Sequence, residues 1–288
     1  NFVASVAHYA YLQQACVDAG VEALGYIPKD ESIVIPSRHL GLSIDETFCF
    51  DAFADRVAEV IDKTVNVDRL LELCTVEFSG EQTEGVICSG NRKIAIARDE
   101  AFNFMYRENV EALKRAGEVV FFSPLRDKRL PDADLVYFPG GYPELHLPEL
   151  AANEGMRQAV RKYCETGGRV LAECGGMMYL CDTITSDDGK VYPMAGVLKQ
   201  GATMEQMKLK LGYREVRVNG QRIRGHEFHY SRILPGHEKI PVIGTIYNAK
   251  DMVVDTPVYT YKNVLASYIH FYWGECGIDH FLMLMSQK

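Results

Sequence analysis

The chain has 288 residues, of which 47% are hydrophobic and 24% charged, and its formal net charge is -8 at pH 7. This composition is typical of a globular protein and excludes a disordered chain, a collagen-like repeat and a coiled coil. The negative charge argues against a general attraction to nucleic acid or anionic membranes. No apolar run approaches the ~18 residues of a membrane-spanning helix.

The cysteines indicate a reducing environment. There are eight of them, and no two form a Cys-x-x-Cys pair, which disfavours a zinc ribbon or a thioredoxin-type site. Eight cysteines are too few for a disulfide scaffold in a chain of this length, so we expect free thiols and a cytoplasmic location. The first ten residues lack the features of a secretory signal, and the first residue is Asn1 rather than Met, as in an internal fragment.

The first 75 residues resemble the end of an α/β unit rather than a complete domain. The pattern predicts a helix over 5–19, a strand over Val21–Ile27, and a helix from about Phe50 to Leu71 that continues or restarts after Val65. The segment 76–92 is rich in Gly, Ser, Thr and Glu and lacks periodicity, so we interpret it as a linker.

The remainder, residues 93–288, alternates apolar strands with helices. This order predicts a parallel or mixed sheet covered by helices on both faces. Strands are predicted within 93–99, 118–124, 133–141 and 169–176, helices over 107–116, 148–166 and 177–183, further strands near 209–219, 223–232, 240–248 and 264–271, and a last helix over 277–286. The VNGQ segment near 219 carries the Asn-Gly signal of a β-hairpin.

The segment LAECGG predicts a nucleophile at Cys174. A strand that ends in Cys-Gly-Gly before a helix has the shape of a nucleophile elbow, and the helix N-terminus is expected to lower the thiol pKa. The Gly175 N–H would then face a developing oxyanion. A buried cysteine beside a glycine turn is the simpler alternative, but the end of a parallel strand is where such folds bind ligands.

A glycine loop follows the preceding strand. In FPGGYPE, the residues Gly140, Gly141 and Tyr142 stand where backbone N–H groups can approach a ligand without obstruction by a Cβ atom. A plain Gly-Pro turn is the alternative for this segment taken alone. Together with the elbow, the loop predicts an acyl-transfer site.

The general base is predicted at His270, which lies in the segment ASYIHFYW at the end of an apolar strand. The alternatives are His226 and His229 in GHEFHYS. Their spacing would suit a metal only on a helix, whereas on a strand they face opposite sides, so no metal site is predicted. Both belong to a different predicted strand from His270, and we expect their replacement to serve as a control.

These motifs, in this order, resemble the glutamine amidotransferase domain of the cobyrinate a,c-diamide synthase family. FPGGYPELH, ECGGMMYL, EFHYS and ASYIHFYW carry the resemblance, and VEALGYIPKDESIVIPSRHLGL is similar to the end of the family's ATP-binding domain. The resemblance implies a class I glutamine amidotransferase-like domain over 93–288. Residues 1–75 would be the C-terminal remnant of a P-loop, dethiobiotin synthetase-like α/β domain that binds ATP.

The resemblance also implies a reaction and its partners. Glutamine is hydrolysed at Cys174 with His270 as base, and the ammonia amidates the a and c carboxylates of cobyrinate or a related tetrapyrrole, with ATP and Mg²⁺ in the full-length enzyme. No cofactor is expected to bind tightly to this chain. Asn1, Arg38 and His39 match positions near the nucleotide or corrinoid cleft. Because the sequence contains no phosphate loop, we expect the C-terminal part of a longer enzyme or one subunit of a split one.

One departure concerns the base. Many amidotransferases carry His-x-Glu, and this chain has Tyr272 two residues after His270, so the resemblance implies a Cys–His dyad. A nickel-sirohydrochlorin a,c-diamide synthase and a cobyric-acid-synthase-type enzyme remain alternatives, as does a non-catalytic binding module. A homodimer is compatible with the sequence. No nucleic-acid or membrane partner is expected.

Overall fold

The computed structural model describes residues 3, 5–35, 37–38, 41–42, 48–77, 90–274 and 278. The chain divides into two compact units, Asn1–Thr83 and Glu84–Lys288. Within these described ranges, no helix has both the length and the apolar character needed to cross a membrane. The six cysteines that lie in them are free thiols.

The described residues of the first unit form three α-helices, a short 3₁₀ helix over Glu31–Ile33 and two very short strands. The α-helices and strands are α1 (Val6–Asp18), β1 (Ser37–Arg38), β2 (Gly41–Leu42), α2 (Phe50–Thr64) and α3 (Val67–Cys74). The predicted first helix is confirmed, and Ser5 caps it by accepting a hydrogen bond from the His8 N–H. The helix predicted from Phe50 restarts, because the Asn66 side chain caps α3 by accepting from Arg69 N.

The strand predicted over Val21–Ile27 is wrong. The segment lies along the junction of α2 and α3, where Tyr26 N donates to Thr64 O and Asn66 N donates to Leu24 O. These contacts amount to an isolated bridge between Gly25 and Val65 rather than to a strand.

The second unit carries the three larger sheets. In chain order its elements are β3 (Arg92–Ala97), α4 (Arg107–Ala116), β4 (Gly117–Phe122), β5 (Leu135–Phe138), α5 (Leu147–Ala152), α6 (Glu154–Glu165), β6 (Arg169–Glu173), α7 (Gly175–Leu180), β7 (Cys181–Thr185), β8 (Val191–Pro193), β9 (Leu198–Thr203), β10 (Lys210–Val218), β11 (Gln221–His229), β12 (Arg232–Leu234), β13 (Thr245–Asn248), β14 (Val258–Tyr261), β15 (Val264–Ser267) and β16 (Ile269–Phe271).

A six-stranded sheet forms the centre of this unit, with the strand order β14-β15-β6-β5-β3-β4. All neighbouring pairs are parallel except β14–β15. Side chains alternate between its faces: Ile94 and Ile96 join one core cluster, and Ala95 and Ala97 join the other. The predicted α/β class with a mixed sheet is confirmed.

Each face of the central sheet is covered by helices and by a smaller sheet. One face packs against α5, α6, α7 and residues of the sheet β12-β9-β7-β8. The other face packs against α4 and the sheet β13-β10-β11-β16. This second arrangement brings β16, with His270, beside the edge where β6 ends.

Several predicted boundaries are corrected. The helix predicted over 148–166 breaks at Asn153, whose buried side chain donates to Pro124 O and Asp127 O. The helix predicted over 177–183 stops at Leu180, because Cys181 begins a strand that pairs with β8 and β9. Strands β1, β2, β7, β8, β9, β12 and β14 were not predicted. The single strand predicted near 264–271 is divided into β15, in the central sheet, and β16, in the sheet with β11. The predicted last helix, over 277–286, lies outside the described residues except for Ile278.

The hairpin prediction is confirmed. Strands β10 and β11 pair antiparallel through nine residues, and the connecting Asn219 and Gly220 have φ angles of 50° and 76°. Two successive residues with positive φ are what a type I′ turn requires. This hairpin matters for the site because β11 also pairs with β16.

Candidate active site

Cys174 lies in a sharp turn between β6 and α7. Its φ and ψ are 46° and -108°, a sparsely populated region that costs about 1–3 kcal/mol and is common at functional sites. Cys174 N donates to Ser267 O at 2.8 Å, and its carbonyl accepts from Met178 N at 3.0 Å. These bonds hold the strained backbone at the end of β6, as in a nucleophile elbow.

The two glycines after Cys174 are required by close packing. A Cβ atom on Gly175 would lie 2.7 Å from Pro143 Cδ, and one on Gly176 would lie 2.3 Å from Phe138 O. The start of α7 is therefore pressed against the glycine loop, and the Gly175 N–H lies close enough to the thiol to stabilise its charged form.

The thiol itself is buried, and its pKa differs from the sequence-based expectation. Burial raises the pKa of Cys174 well above its usual range, and the negative charge of Glu144 adds to this effect. The amide of Gly175 lowers the pKa but does not outweigh burial. The prediction of a thiol pKa lowered by the helix N-terminus is thus wrong, and the resting side chain is a neutral thiol. Its Sγ lies 3.9 Å from Phe228 O.

The predicted glycine loop lies beside the elbow. Phe104 N donates to Gly140 O at 3.0 Å, and Tyr142 N donates to Ala101 O at 2.9 Å. The Tyr142 amide is therefore engaged within the protein. Gly140 forms an isolated antiparallel bridge with Phe104, so its backbone is engaged as well. The Gly141 N–H is therefore the better candidate to contact a ligand or an oxyanion.

His270 lies in the three-residue strand β16 and is 4% exposed. Its ring stands between two aromatic neighbours, with ring-centroid distances of 4.6 Å to Phe104 and 4.8 Å to His226. Its buried Nδ1 has no hydrogen-bond partner among the described residues. Burial lowers the His270 pKa to about 3, and the nearby His226 and His229 act in the same direction. The imidazole is therefore neutral near pH 7 and can accept a proton.

Three connections bring the thiol and the imidazole to one edge of the sheet. Cys174 N donates to Ser267 O, three residues before His270. Phe271 N donates to a carboxyl oxygen of Glu173, the residue before Cys174. The Sγ atom faces Phe228 O on β11, the strand that pairs with β16.

No hydrogen bond of the described residues joins Sγ to the His270 ring. In ligand-free sites such contacts are often long and tighten only when substrate binds. The site therefore contains the two groups that an acyl transfer to sulfur needs, a thiol and a neutral base at the same edge.

The two alternative histidines have other contacts. Tyr106 Oη lies 2.6 Å from His226 Nδ1. His229 has both ring nitrogens occupied, by Glu227 and by the carbonyl of Ser231. His226 lies on a different strand from His270, as predicted, but β11 and β16 are neighbours and the two residues are paired. Its replacement therefore cannot serve as the expected control. The two histidines do lie on opposite sides of β11, as predicted.

The three positions assigned to a nucleotide or corrinoid cleft stay predictions. Asn1 and His39 lie outside the described residues, and Arg38 lies in β1 without a described side chain. In the part of the chain that the structure describes, no three His, Cys, Asp or Glu side chains are grouped in a way that could hold a metal ion.

Sequence reasoning missed three buried polar residues around the site. Glu173 and Asn109 contact the backbone beside His270. Glu227 forms ion pairs with Lys210 and Arg214. Burial alone would raise the pKa of Glu227, but the hydrogen bond from His229 and the charge of Lys210 outweigh it and lower the pKa to about 2. Of the three, only Glu173 could have been singled out from the sequence, because it directly precedes the predicted nucleophile.

A first prediction concerns Gly140. A Cβ atom there would lie 2.2 Å from Cε1 and 2.8 Å from Nδ1 of His270, so Gly140→Ala must displace the ring. We expect kcat/KM for glutamine hydrolysis to fall by about 10²-fold, because a small misplacement of a reacting group can slow a reaction by that factor. Gly155→Ala in α6 is the control and should keep its activity. Unchanged hydrolysis by Gly140→Ala would contradict the placement of His270.

A second prediction follows from the neutral thiol. Alkylation of Cys174 by iodoacetamide, followed by peptide mass spectrometry, should be slow near neutrality. It should accelerate continuously from about pH 6 to 9, because only the thiolate reacts. The raised Cys174 pKa and the lowered His270 pKa both favour the uncharged pair. A fast rate that is independent of pH in this range would instead indicate a resting thiolate–imidazolium pair.

Comparisons with known proteins identify the domain. Residues 93–276 match the model of the CobB/CobQ-like glutamine amidotransferase domain. A cobyrinate a,c-diamide synthase of Caldanaerobacter subterraneus is 36% identical over 306 residues, covering 98% of this chain and 65% of that protein. The Salmonella typhimurium enzyme of the same name is 33% identical over 291 residues, covering 96% of this chain and 63% of that protein.

A third relative is named for a different substrate, and a solved structure aligns with less of the chain. The hydrogenobyrinate a,c-diamide synthase of Pseudomonas aeruginosa is 36% identical over 279 residues, covering 94% of this chain and 62% of that protein. A crystal structure described as a glutamine amidotransferase aligns with 67% of this chain and 99% of its own, at 23% identity and a TM-score of 0.45. The chain thus spans less than two thirds of the curated relatives it matches. On its domain match it belongs to the family of CobB/CobQ-like glutamine amidotransferases.

Proposed function

We propose that this chain hydrolyses glutamine at Cys174 and supplies the ammonia for ATP-driven amidation of the a and c carboxylates of cobyrinate. The observation that carries the proposal is the strained Cys174 elbow beside a glycine loop and a buried neutral His270. The family match and the printed names of the relatives support the choice of reaction.

The chemistry is an acyl transfer through sulfur. The imidazole of His270 takes the thiol proton as Sγ attacks the side-chain amide carbon of glutamine. The tetrahedral oxyanion is stabilised by the N–H of Gly175 and by that of Gly141. The imidazolium then returns the proton to the leaving nitrogen, ammonia departs, and water hydrolyses the γ-glutamyl thioester to glutamate. The neutral resting state of both groups suits this proton transfer, which occurs during the attack.

The acceptor is proposed from the relatives. Cobyrinate is favoured because two relatives that cover nearly all of this chain are named for it, and hydrogenobyrinate is the substrate in the name of a third. Nickel-sirohydrochlorin and the cobyric acid pathway substrate remain the second candidates. We also propose a cytoplasmic location. A homodimer is compatible with the proposal.

ATP and Mg²⁺ belong to the amidation step. The sequence contains no phosphate loop, and the described residues offer no cluster of metal ligands. The residues present therefore do not fit these groups, and we derive no step through them. We propose that they bind in the ATP-binding region that the resemblance predicts, in the same polypeptide or a separate subunit, and that 1–75 is the end of that region.

The test measures two products. Glutamine labelled in its side-chain amide is supplied with the chain, and release of labelled ammonia and of glutamate is followed. The ATP-binding region, ATP, Mg²⁺ and either cobyrinate or nickel-sirohydrochlorin are then added, and the label is sought in the tetrapyrrole by mass spectrometry. Labelled cobyrinate diamide is the expected result. Absence of glutamine hydrolysis in both mixtures would instead indicate a non-catalytic binding module.

A further inference from the structure

The orientation of His270 needs an explanation, because its ring lacks the usual support. Nδ1 is buried without a partner among the described residues. The position two residues after His270, where many amidotransferases carry a Glu, is occupied by Tyr272. The Tyr272 ring packs edge-on against Tyr106, with a centroid distance of 5.5 Å. No carboxylate in the described part of the chain therefore bonds to Nδ1, and the ring is fixed by packing and by the backbone that carries it.

The backbone next to His270 is held by two buried side chains from different elements. Glu173, at the end of β6, accepts from Phe271 N at 3.2 Å through Oε1. Asn109, in α4, donates through Nδ2 to Phe271 O at 2.7 Å and accepts from Trp273 N at 2.9 Å through Oδ1. Both peptide groups of Phe271 are thus fixed, one on each side of that residue.

Glu173 links the hydrogen-bonded backbone around Phe271 to the nucleophile. It directly precedes Cys174 and is 1% exposed, while Asn109 is fully buried. The second Glu173 oxygen, Oε2, lies 2.7 Å from Tyr137 Oη, and the Tyr137 ring packs against Trp273 at 5.1 Å between centroids. Because the Glu173 carboxyl accepts from Phe271 N, a movement of β6 relative to β16 would break that bond. The thiol and the imidazole are thus coupled through one carboxyl group.

We propose that Glu173 and Asn109 are positioning residues. Their hydrogen bonds to the backbone of Phe271 and Trp273 hold His270 at the Cys174 sulfur. They take the place of a carboxylate bonded to the imidazole. The inference rests on the proposed glutamine hydrolysis and adds the residues that set the geometry of its base. Neither residue is placed in contact with substrate.

The chemistry of the two side chains makes the proposal testable by exchanging acid and amide. Burial raises the Glu173 pKa to about 8, so the carboxyl is mostly protonated at neutral pH, with one accepting oxygen and one O–H. A glutamine side chain offers the same acceptor and a donor in the same shape. Asn109 must donate to one backbone group and accept from another, whereas an aspartate would place an acceptor against Phe271 O.

The experiment measures kcat and KM for glutamine hydrolysis in Glu173→Gln, Glu173→Leu and Asn109→Asp. Glu173→Gln should keep kcat close to that of the unsubstituted chain. Glu173→Leu and Asn109→Asp should lower kcat by about 10²-fold with little change in KM, because the base is misplaced rather than the substrate site. Leu113→Ala is the matched control: it removes a buried side chain from the same helix as Asn109 but none of the hydrogen bonds to Phe271 or Trp273, and it should keep kcat.

Each result decides the proposal. A loss in Glu173→Gln as large as in Glu173→Leu would show that a negative charge, not the hydrogen-bond pattern, is needed, and would overturn the inference. Equal losses in Asn109→Asp and Leu113→Ala would show a general loosening of α4 and would overturn it as well. If Glu173→Leu fails to fold, Glu173→Gln and Asn109→Asp still decide. If the unsubstituted chain does not hydrolyse glutamine, the proposed function itself is contradicted, rather than the role of Glu173 and Asn109.

Discussion

Replacing Cys174 with alanine is expected to abolish glutamine hydrolysis, with a loss of about 10⁴-fold or more, the range seen when an enzyme loses its nucleophile. Without Sγ no thioester can form, and no described cysteine besides Cys174 lies at the elbow. The free energy of unfolding should change by no more than about 2 kcal/mol, because only one small buried atom is removed. Ammonia release and urea denaturation are the measurements.

Cys164→Ala is the control for this change. Cys164 is also a fully buried free thiol, but it lies in α6, so its replacement should leave hydrolysis close to that of the unsubstituted chain. If Cys174→Ala retains a comparable rate, another nucleophile performs the reaction and the assignment of Cys174 is wrong.

Replacing His270 with alanine is expected to lower kcat by at least about 10²-fold, which is the usual contribution of a general base. The thiol pKa is raised by burial, so little thiolate is present without a proton acceptor. Tyr272→Phe should lose far less, because the Tyr272 ring packs against Tyr106 and the side chain supplies no charge. Steady-state rates of ammonia release distinguish the two variants.

A clean histidine control must lie away from the site. His226 stacks on His270, and His229 bonds to the buried Glu227, so replacing either would disturb the site itself. His237 is exposed, and His237→Ala should keep its activity. Equal rates for His270→Ala and His237→Ala would contradict a role for His270 as the base.

Local patterns were enough to predict the parts of the site that one segment builds. The strand, Cys174 and the following glycines are contiguous, so the elbow could be predicted from LAECGG. The Gly140–Gly141 loop follows the neighbouring parallel strand and was predicted on the same grounds. Alternation of buried strands and helices was likewise sufficient for the α/β class.

Contacts between segments that are distant in sequence could not be predicted. The contact of His226 with His270 depends on the antiparallel register of β11 and β16, which neither segment encodes alone. The same limit applies to Asn109, which reaches Phe271 and Trp273 from a helix far away in sequence. The direction of the thiol pKa was wrong because it depends on burial by the whole fold rather than on the helix that follows Cys174.

Covalent labelling by a glutamine analogue is the sharpest test that Cys174 is the nucleophile for glutamine. A diazoketone that replaces the side-chain amide alkylates a thiol that attacks that position. We expect one adduct per chain, located on Cys174 by peptide mapping, prevented by excess glutamine and absent from Cys174→Ala. Modification of a different residue, or no adduct from a chain that still hydrolyses glutamine, would contradict this assignment.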